Sequence, residues 1–126
     1  MGDAERSRRH LKRFMEIWRE KLPERFYTQS YYIMFEAVIE KDMTVSSTRE
    51  AFKDFLGEPT DYAIITAWEY AVDKKMVIDV SQWKPGEEGK EGAKPLLRVW
   101  RATDDLRRTL NDIHEIYDDE CVAIYG

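Results

Sequence analysis

Between Glu50 and Tyr70 the chain reads EAFKDFLGEPTDYAIITAWEY, two short amphipathic runs that meet at Leu56-Gly57-Glu58-Pro59-Thr60. This hinge limits the possible folds more than any other stretch. Gly57 suits the left-handed conformation that stops helices, and Thr60, or Glu58-Pro59 before it, can open the next one. In the first run Ala51, Phe52, Phe55 and Leu56 form the buried face. Ser47 and Glu50 stand at the spacing of a capping box, which predicts a helix over 47–56. The second helix is predicted over 60–76. At about 100° per residue, Ile64, Ile65, Trp68, Ala71 and Val72 cluster on one side, and Tyr62, Ala63, Thr66, Tyr70, Asp73 and Lys74 face away.

The flanking segments supply the rest of a core. Leu11, Phe14, Met15, Trp18 and Leu22 recur at spacings of three and four, one stripe of a helix over 4–22 that Pro23 ends. QSYYIMFEAVIEKD is apolar on more than one face, with Tyr31, Phe35, Val38 and Ile39 central, and should be the buried central helix. MTVSS is a short β-branched stretch. MVIDVSQW and PLLRVWR are strand-like and flank KPGEEGKEGAK, so a hairpin with a long, flexible tip is expected. Over 104–120, Leu106, Leu110, Ile113 and Tyr117 make a last stripe, before the closing CVAIYG. Neither a repeat nor a linker divides the chain. A single domain over 1–126 is expected, mostly α with a small β-hairpin, in which Phe35, Val38, Phe52, Phe55 and Trp68 share one core.

Composition narrows the chemistry. Hydrophobic residues make up 43% and charged residues 36%, the balance of an ordered globular chain. No apolar run approaches the roughly 20 residues that cross a bilayer, and the charged N-terminus lacks the apolar region of a signal peptide, so the expected compartment is the cytoplasm. One cysteine, Cys121, and two histidines, His10 and His114, cannot close a structural zinc site. Gln29, Gln82 and Asn111 are the only side-chain amides, a scarcity that, beside abundant Glu, Lys and Arg, points to a hyperthermophile. The net charge of −5 is unevenly spread: residues 1–25 carry eight Lys/Arg against five Asp/Glu, and residues 77–101 five against four, while 26–76 carry five against nine and 104–126 two against seven. A surface for polyanions would therefore lie on the N-terminal helix and the hairpin.

The order helix, helix, short strand, helix, helix, hairpin, helix resembles the winged helix-turn-helix superfamily over 29–101. The segment MTVSSTREAFKDFLGEPTDYAIITAWEYAVDKKMVIDV carries the motif: short strand, first helix at 47–56, turn at 57–60, second helix at 60–76, and a strand opening the wing. With flanking helices at both ends, it looks most like the multiple-antibiotic-resistance regulator type. The resemblance implies that the second helix lies in the major groove, that the helix before it crosses the backbone, and that the wing touches phosphate or minor groove. Tyr62, Ala63 and Thr66 would then touch base edges or thymine methyl groups, with Thr60 and Tyr70 among the DNA-binding positions. Arg49 and Lys53, with Lys84, Lys90, Lys94 and Arg98 on the wing and the Arg6–Arg13 cluster, would supply phosphate contacts. In that regulator type the terminal helices make the dimer, and the terminal stripes here are more apolar surface than a core of this size would cover alone, so a homodimer through Leu11, Phe14, Trp18, Leu106, Leu110, Ile113 and Tyr117 is expected. A double-stranded DNA partner and a transcriptional regulator of a hyperthermophilic archaeon or its virus are expected on this reading.

A second reading stays open. Glu69 and Asp73 border the reading face and Lys74 is its only cation, so a Tyr/Thr/Ala surface of this kind also fits a protein partner. PGEEGKEG has evenly spaced glycines but carries Glu87, Glu88 and Glu91, which would repel a nucleotide's phosphates. Asp118-Asp119-Glu120 fits a solvated tail better than a metal site, His114 a packing position, and Cys121 has no base near it in sequence. No catalytic pair, triad, cofactor motif or metal motif emerges, and an enzyme is not expected.

Overall fold

The computed structural model describes residues 3–54 and 57–125, and side chains over 11–54 and 57–123. Phe55, Leu56 and the side chains of Arg6, Arg8, Arg9 and His10 lie outside the described residues. The elements in chain order are α1 (Asp3–Lys21), a single 3-10 turn (Glu24–Phe26), α2 (Gln29–Val38), β1 (Met43–Thr44), α3 (Val45–Phe52), α4 (Asp61–Asp73), β2 (Val77–Asp79), β3 (Val99–Ala102) and α5 (Asp104–Tyr125). The strands form one antiparallel sheet in the order β1-β3-β2, with Met43 and Asp79 both opposite Trp100.

Short polar side chains set the helix starts. Thr28 accepts from the Tyr31 N–H to open α2, and Thr60 from the Ala63 N–H to open α4. The opening of α3 differs from the predicted capping box at Ser47 and Glu50. Thr44 is the cap: its hydroxyl accepts from the Ser47 N–H at 3.1 Å while Ser47 Oγ accepts from the Thr44 N–H at 2.8 Å. Ser47 is thus the third helical residue, where it serves the box as a glutamate would, and Glu50 stays exposed.

The core gathers Phe35, Val38, Phe52 and Trp68 as predicted, joined by Trp18, Phe26, Trp100, Leu106, Leu110 and Ile113. Phe26 comes from the 3-10 turn, between the Pro23 helix end and the central helix, where no element was expected; its carbonyl accepts from Trp18 Nε1 at 2.8 Å. Trp68 Nε1 donates to Thr48 Oγ1 at 3.0 Å, and that hydroxyl donates to the Thr44 carbonyl at 2.6 Å. The Trp68 and Trp100 rings stack with centroids 5.6 Å apart. Three elements are therefore tied through one indole: α4 by its own residue, α3 by hydrogen bond, and the sheet by ring contact.

The terminal stripes correct the expected dimer surface. Phe14, Trp18, Leu106, Leu110 and Ile113 are buried within the single chain, because α1 and α5 pack on each other and over α2. The stripe of α1 is also rotated, with Ile17 fully buried and Leu11 58% exposed. Arg13 ties the pair through two bonds to the Glu120 carboxylate, at 2.6 and 2.5 Å, so Glu120 is not part of a free acidic tail. His114 Nε2 lies 2.8 Å from the carboxylate of Glu36 on α2, and burial outweighs that contact to raise the Glu36 pKa above its ordinary 4.5.

Two outcomes follow from these contacts. Thr48→Val keeps the shape but leaves the buried indole N–H of Trp68 without an acceptor, and should cost about 1–3 kcal/mol, read as a lower urea midpoint at unchanged slope. For Glu36, a carboxyl whose folded pKa is raised favours folding most while it is protonated, and that contribution is lost as pH rises from 4.5 through the raised value. Glu36→Gln should therefore gain on the wild type as pH rises through this window, measured as the difference between their thermal midpoints.

Candidate nucleic-acid interface

On α4 the exposed positions Tyr62, Thr66, Glu69 and Asp73 fall at steps of four, three and four, one stripe along the helix. Its N-terminal half is aromatic and hydroxyl; its C-terminal half is acidic. Tyr62 is 80% exposed, and Ala63 beside it is open as well. Asp61 and the cap Thr60 complete the end of the helix nearest the turn. Thr60 contributes its hydroxyl oxygen to the cap, which leaves its methyl and O–H for an outside partner.

Tyr70 does not share this face. It is half-buried at one side of the stripe, with its ring 5.5 Å from that of Phe26 and the guanidinium of Arg25 and ammonium of Lys74 lying 5.0 and 5.6 Å from its centroid. At about 100° per residue it falls one turn beyond Thr66 and two beyond Ala63, among the outward positions. The 3-10 turn, which no periodicity announced, covers it.

The cations are distributed unevenly. Arg49 on α3 is ion-paired to Asp61 and also donates to the Pro59 carbonyl, so it clasps the turn. Arg98 precedes β3 with its guanidinium 5.4 Å from the Trp100 ring, bonded to Glu69 at 3.3 Å and 3.6 Å from Asp79. Lys53 is 3.9 Å from Glu50, and Lys90 is 3.7 Å from Glu87. Lys84 and Lys94 are exposed, with no ion pair among the described residues. Of the six cations on α3 and the hairpin that the sequence assigned to phosphate, the structure holds two arginines against carboxylates that include residues of α4 itself. Those partners are 12 and 29 residues away in sequence, beyond any local pattern.

The hairpin tip is more regular than a flexible loop. Backbone N–H groups of Glu87, Lys90 and Ala93 donate to the carbonyls of Lys84, Glu87 and Lys90, three turns in succession. Gly86, Gly89 and Gly92 occupy the third position of each with φ of 79, 81 and 76°, the backbone a type II turn demands there, and Pro85 takes the second position of the first turn. The three-residue period places Lys84, Glu87 and Lys90 at equivalent points along the tip.

A helical core, a tight turn presenting an exposed second helix, and a three-stranded antiparallel sheet with a long hairpin define a winged helix-turn-helix fold with an added helix at each end. One solved structure with this fold is that of BpsR from Bordetella bronchiseptica, described as the mechanism for regulation of its DNA binding by 6-hydroxynicotinic acid. The two match with a TM-score of 0.53 at 12% identity, over 93% of this chain and 81% of that one. No protein-family model matches the chain, and no curated protein sequence matches it either. No described helix is long and apolar enough to cross a membrane.

The two tyrosines of α4 should separate cleanly. Tyr70→Ala removes packing on Phe26 and two cation contacts, and should cost about 1–3 kcal/mol of stability. Tyr62→Ala, at an open position, should stay within about 0.5 kcal/mol. Urea unfolding of the two variants measures both.

Proposed function

We propose that the chain binds double-stranded DNA as a transcriptional regulator, with Tyr62, Ala63 and Thr66 of α4 toward the major groove, α3 across the backbone, and the hairpin reaching neighbouring phosphates. One observation carries the reading: the likeness to BpsR, a protein whose DNA binding is regulated, extends over 93% of the chain and so includes the flanking helices as well as the turn. Hydroxyl and methyl groups can read base edges without positive charge. Lys84, Lys90 and Lys94 would supply the phosphate contacts, with Lys53 from α3. Arg49 and Arg98 join them only by giving up carboxylate partners.

The proposal extends to two copies in the working assembly, joined at the terminal helices. After the α1–α5 packing, Leu11 and Val122 remain as exposed apolar positions there, and these rather than the buried stripes would meet. The regulator would work in the cytoplasm, and the scarcity of amides supports a hyperthermophilic archaeon, or a virus of one, as the source.

A second reading has its own support. Glu69 and Asp73 lie on the same stripe as Tyr62 and Thr66, and Glu58 and Asp61 flank its start, an arrangement that suits a cationic protein partner. Binding of a labelled duplex at low salt, titrated with salt, decides between them. On the DNA reading, replacing Lys84, Lys90 or Lys94 by Ala weakens binding to all sequences alike and flattens the salt dependence. Thr66→Ala or Tyr62→Ala lowers preference for the cognate site by about 1–3 kcal/mol per lost base contact. Absence of duplex binding by the wild type at low salt leaves the protein-partner reading in its place.

A further inference from the structure

Arg49 and Arg98 are both held by acids of α4: Arg49 by Asp61 in the first turn, Arg98 by Glu69 in the middle. Neither contact is an internal strut. The side chains of Asp61 and Glu69 are 69% and 58% exposed against 35% and 27% for Arg49 and Arg98, so each pair is open to solvent on its acid side and is weak. Arg98 is also poorly served where it lies. Its contacts to Glu69 and Asp79 are long, and its Nε is buried without a hydrogen-bond partner. A guanidinium so placed gains from any acceptor that can satisfy it more fully.

Resting on the DNA-binding reading above, we propose that Asp61 and Glu69 are positioning residues: they park Arg49 and Arg98 on the reading helix and release them to phosphate when a duplex docks. DNA carries a charge every ~1.7 Å along its axis, enough to outcompete an exposed carboxylate. The exchange has a signature in salt. An arginine that moves to phosphate displaces a cation from DNA, but the carboxylate it leaves draws a cation back. The wild-type salt dependence therefore under-reports the number of phosphates contacted. Without the carboxylate, the arginine is free beforehand and its full counterion release becomes visible.

The test is salt-titrated binding of a labelled duplex to the full chain carrying Asp61→Asn, Glu69→Gln, or Asp112→Asn. The last makes the same charge change on exposed α5, far in sequence from the turn, and controls for net charge. Asp61→Asn and Glu69→Gln should each bind about two- to fivefold tighter at moderate salt, with the slope of log affinity against log salt steeper by up to about 0.9. Asp112→Asn should leave the slope as it was. Adding Arg49→Ala to Asp61→Asn should erase the gain, as should Arg98→Ala with Glu69→Gln. Duplex binding with slopes that match the wild type, or a gain that survives removal of the arginine, overturns the parking role and leaves DNA binding intact. Failure of every variant to bind duplex overturns the DNA reading, and the parking role with it.

Discussion

The hydrogen bond from the Trp68 indole to Thr48 is the contact on which the arrangement of the molecule turns. It joins the second helix of the turn to the first at a point where both are fully buried. Thr48 passes the bond on to the Thr44 carbonyl, next to the capping box that starts α3 and at the end of β1. The other side of the same indole stacks on Trp100 of the central strand. One side chain thus fixes the angle of α4 against α3 and its height above the sheet. A leucine at 68 could fill space, but it could neither satisfy a threonine hydroxyl in a dry core nor hold a planar stack. Burial alone supplies cohesion; the donor and the ring supply orientation.

That anchoring separates the two faces of α4. Ile64, Trp68 and Ala71 are buried and constrained, while Tyr62, Thr66, Glu69 and Asp73 face outward. The outer residues can change without disturbing the helix's seat, which is the arrangement a binding surface on a rigid element needs. The terminal helices complete the frame in a different way. α1 and α5 cover α2 with apolar residues, and polar clasps close the package: Arg13 with Glu120, His114 with Glu36, and Arg107 with the carbonyl of Ile39. The last satisfies an acceptor at the C-terminal end of α2, where the helix leaves its carbonyls unpaired.

Much of this was legible because it is local. The hinge at Gly57, with φ of 77°, the inner face of α4 and the strand segments around the hairpin depend on periodicity and turn chemistry carried by adjacent residues. What escaped depends on partners far along the chain. Ser47 was assigned to the cap itself because Glu50 stands at the right spacing, but Thr44 sits at the true boundary and a serine can return the bond as glutamate does. The terminal stripes looked surplus when counted one helix at a time; placed face to face they exhaust each other. Tyr70 looked free for want of any periodic sign of the 3-10 turn that covers it. On the candidate surface the pairing of Arg49 with Asp61 and of Arg98 with Glu69 was not legible, since each spans different elements.

These pairings change how the charge of the molecule should be weighed. Counted by segment, the chain from 26 to 76 has nine acids against five cations, which taken alone speaks against a polyanion partner. Counted in space, several of those acids already face cations: Glu50 with Lys53, Asp61 with Arg49, Glu69 with Arg98, and Asp73 with Lys74. Much of the negative charge around the turn is therefore arranged in exchangeable pairs, with Asp54 and Glu58 exposed beside them. A face of that kind attracts little at long range, because paired opposite charges cancel beyond a Debye length of about 8 Å. Close contact is another matter, since a partner that supplies its own anions or cations can replace one member of each pair. On the stripe of α4 itself, Tyr62, Ala63 and Thr66 stand outside any such exchange, with no formal charge. On the proposed function, discrimination between partners would come from shape and hydrogen bonding at the N-terminal half of α4, and the acidic half and the hairpin would set how strongly the partner is held.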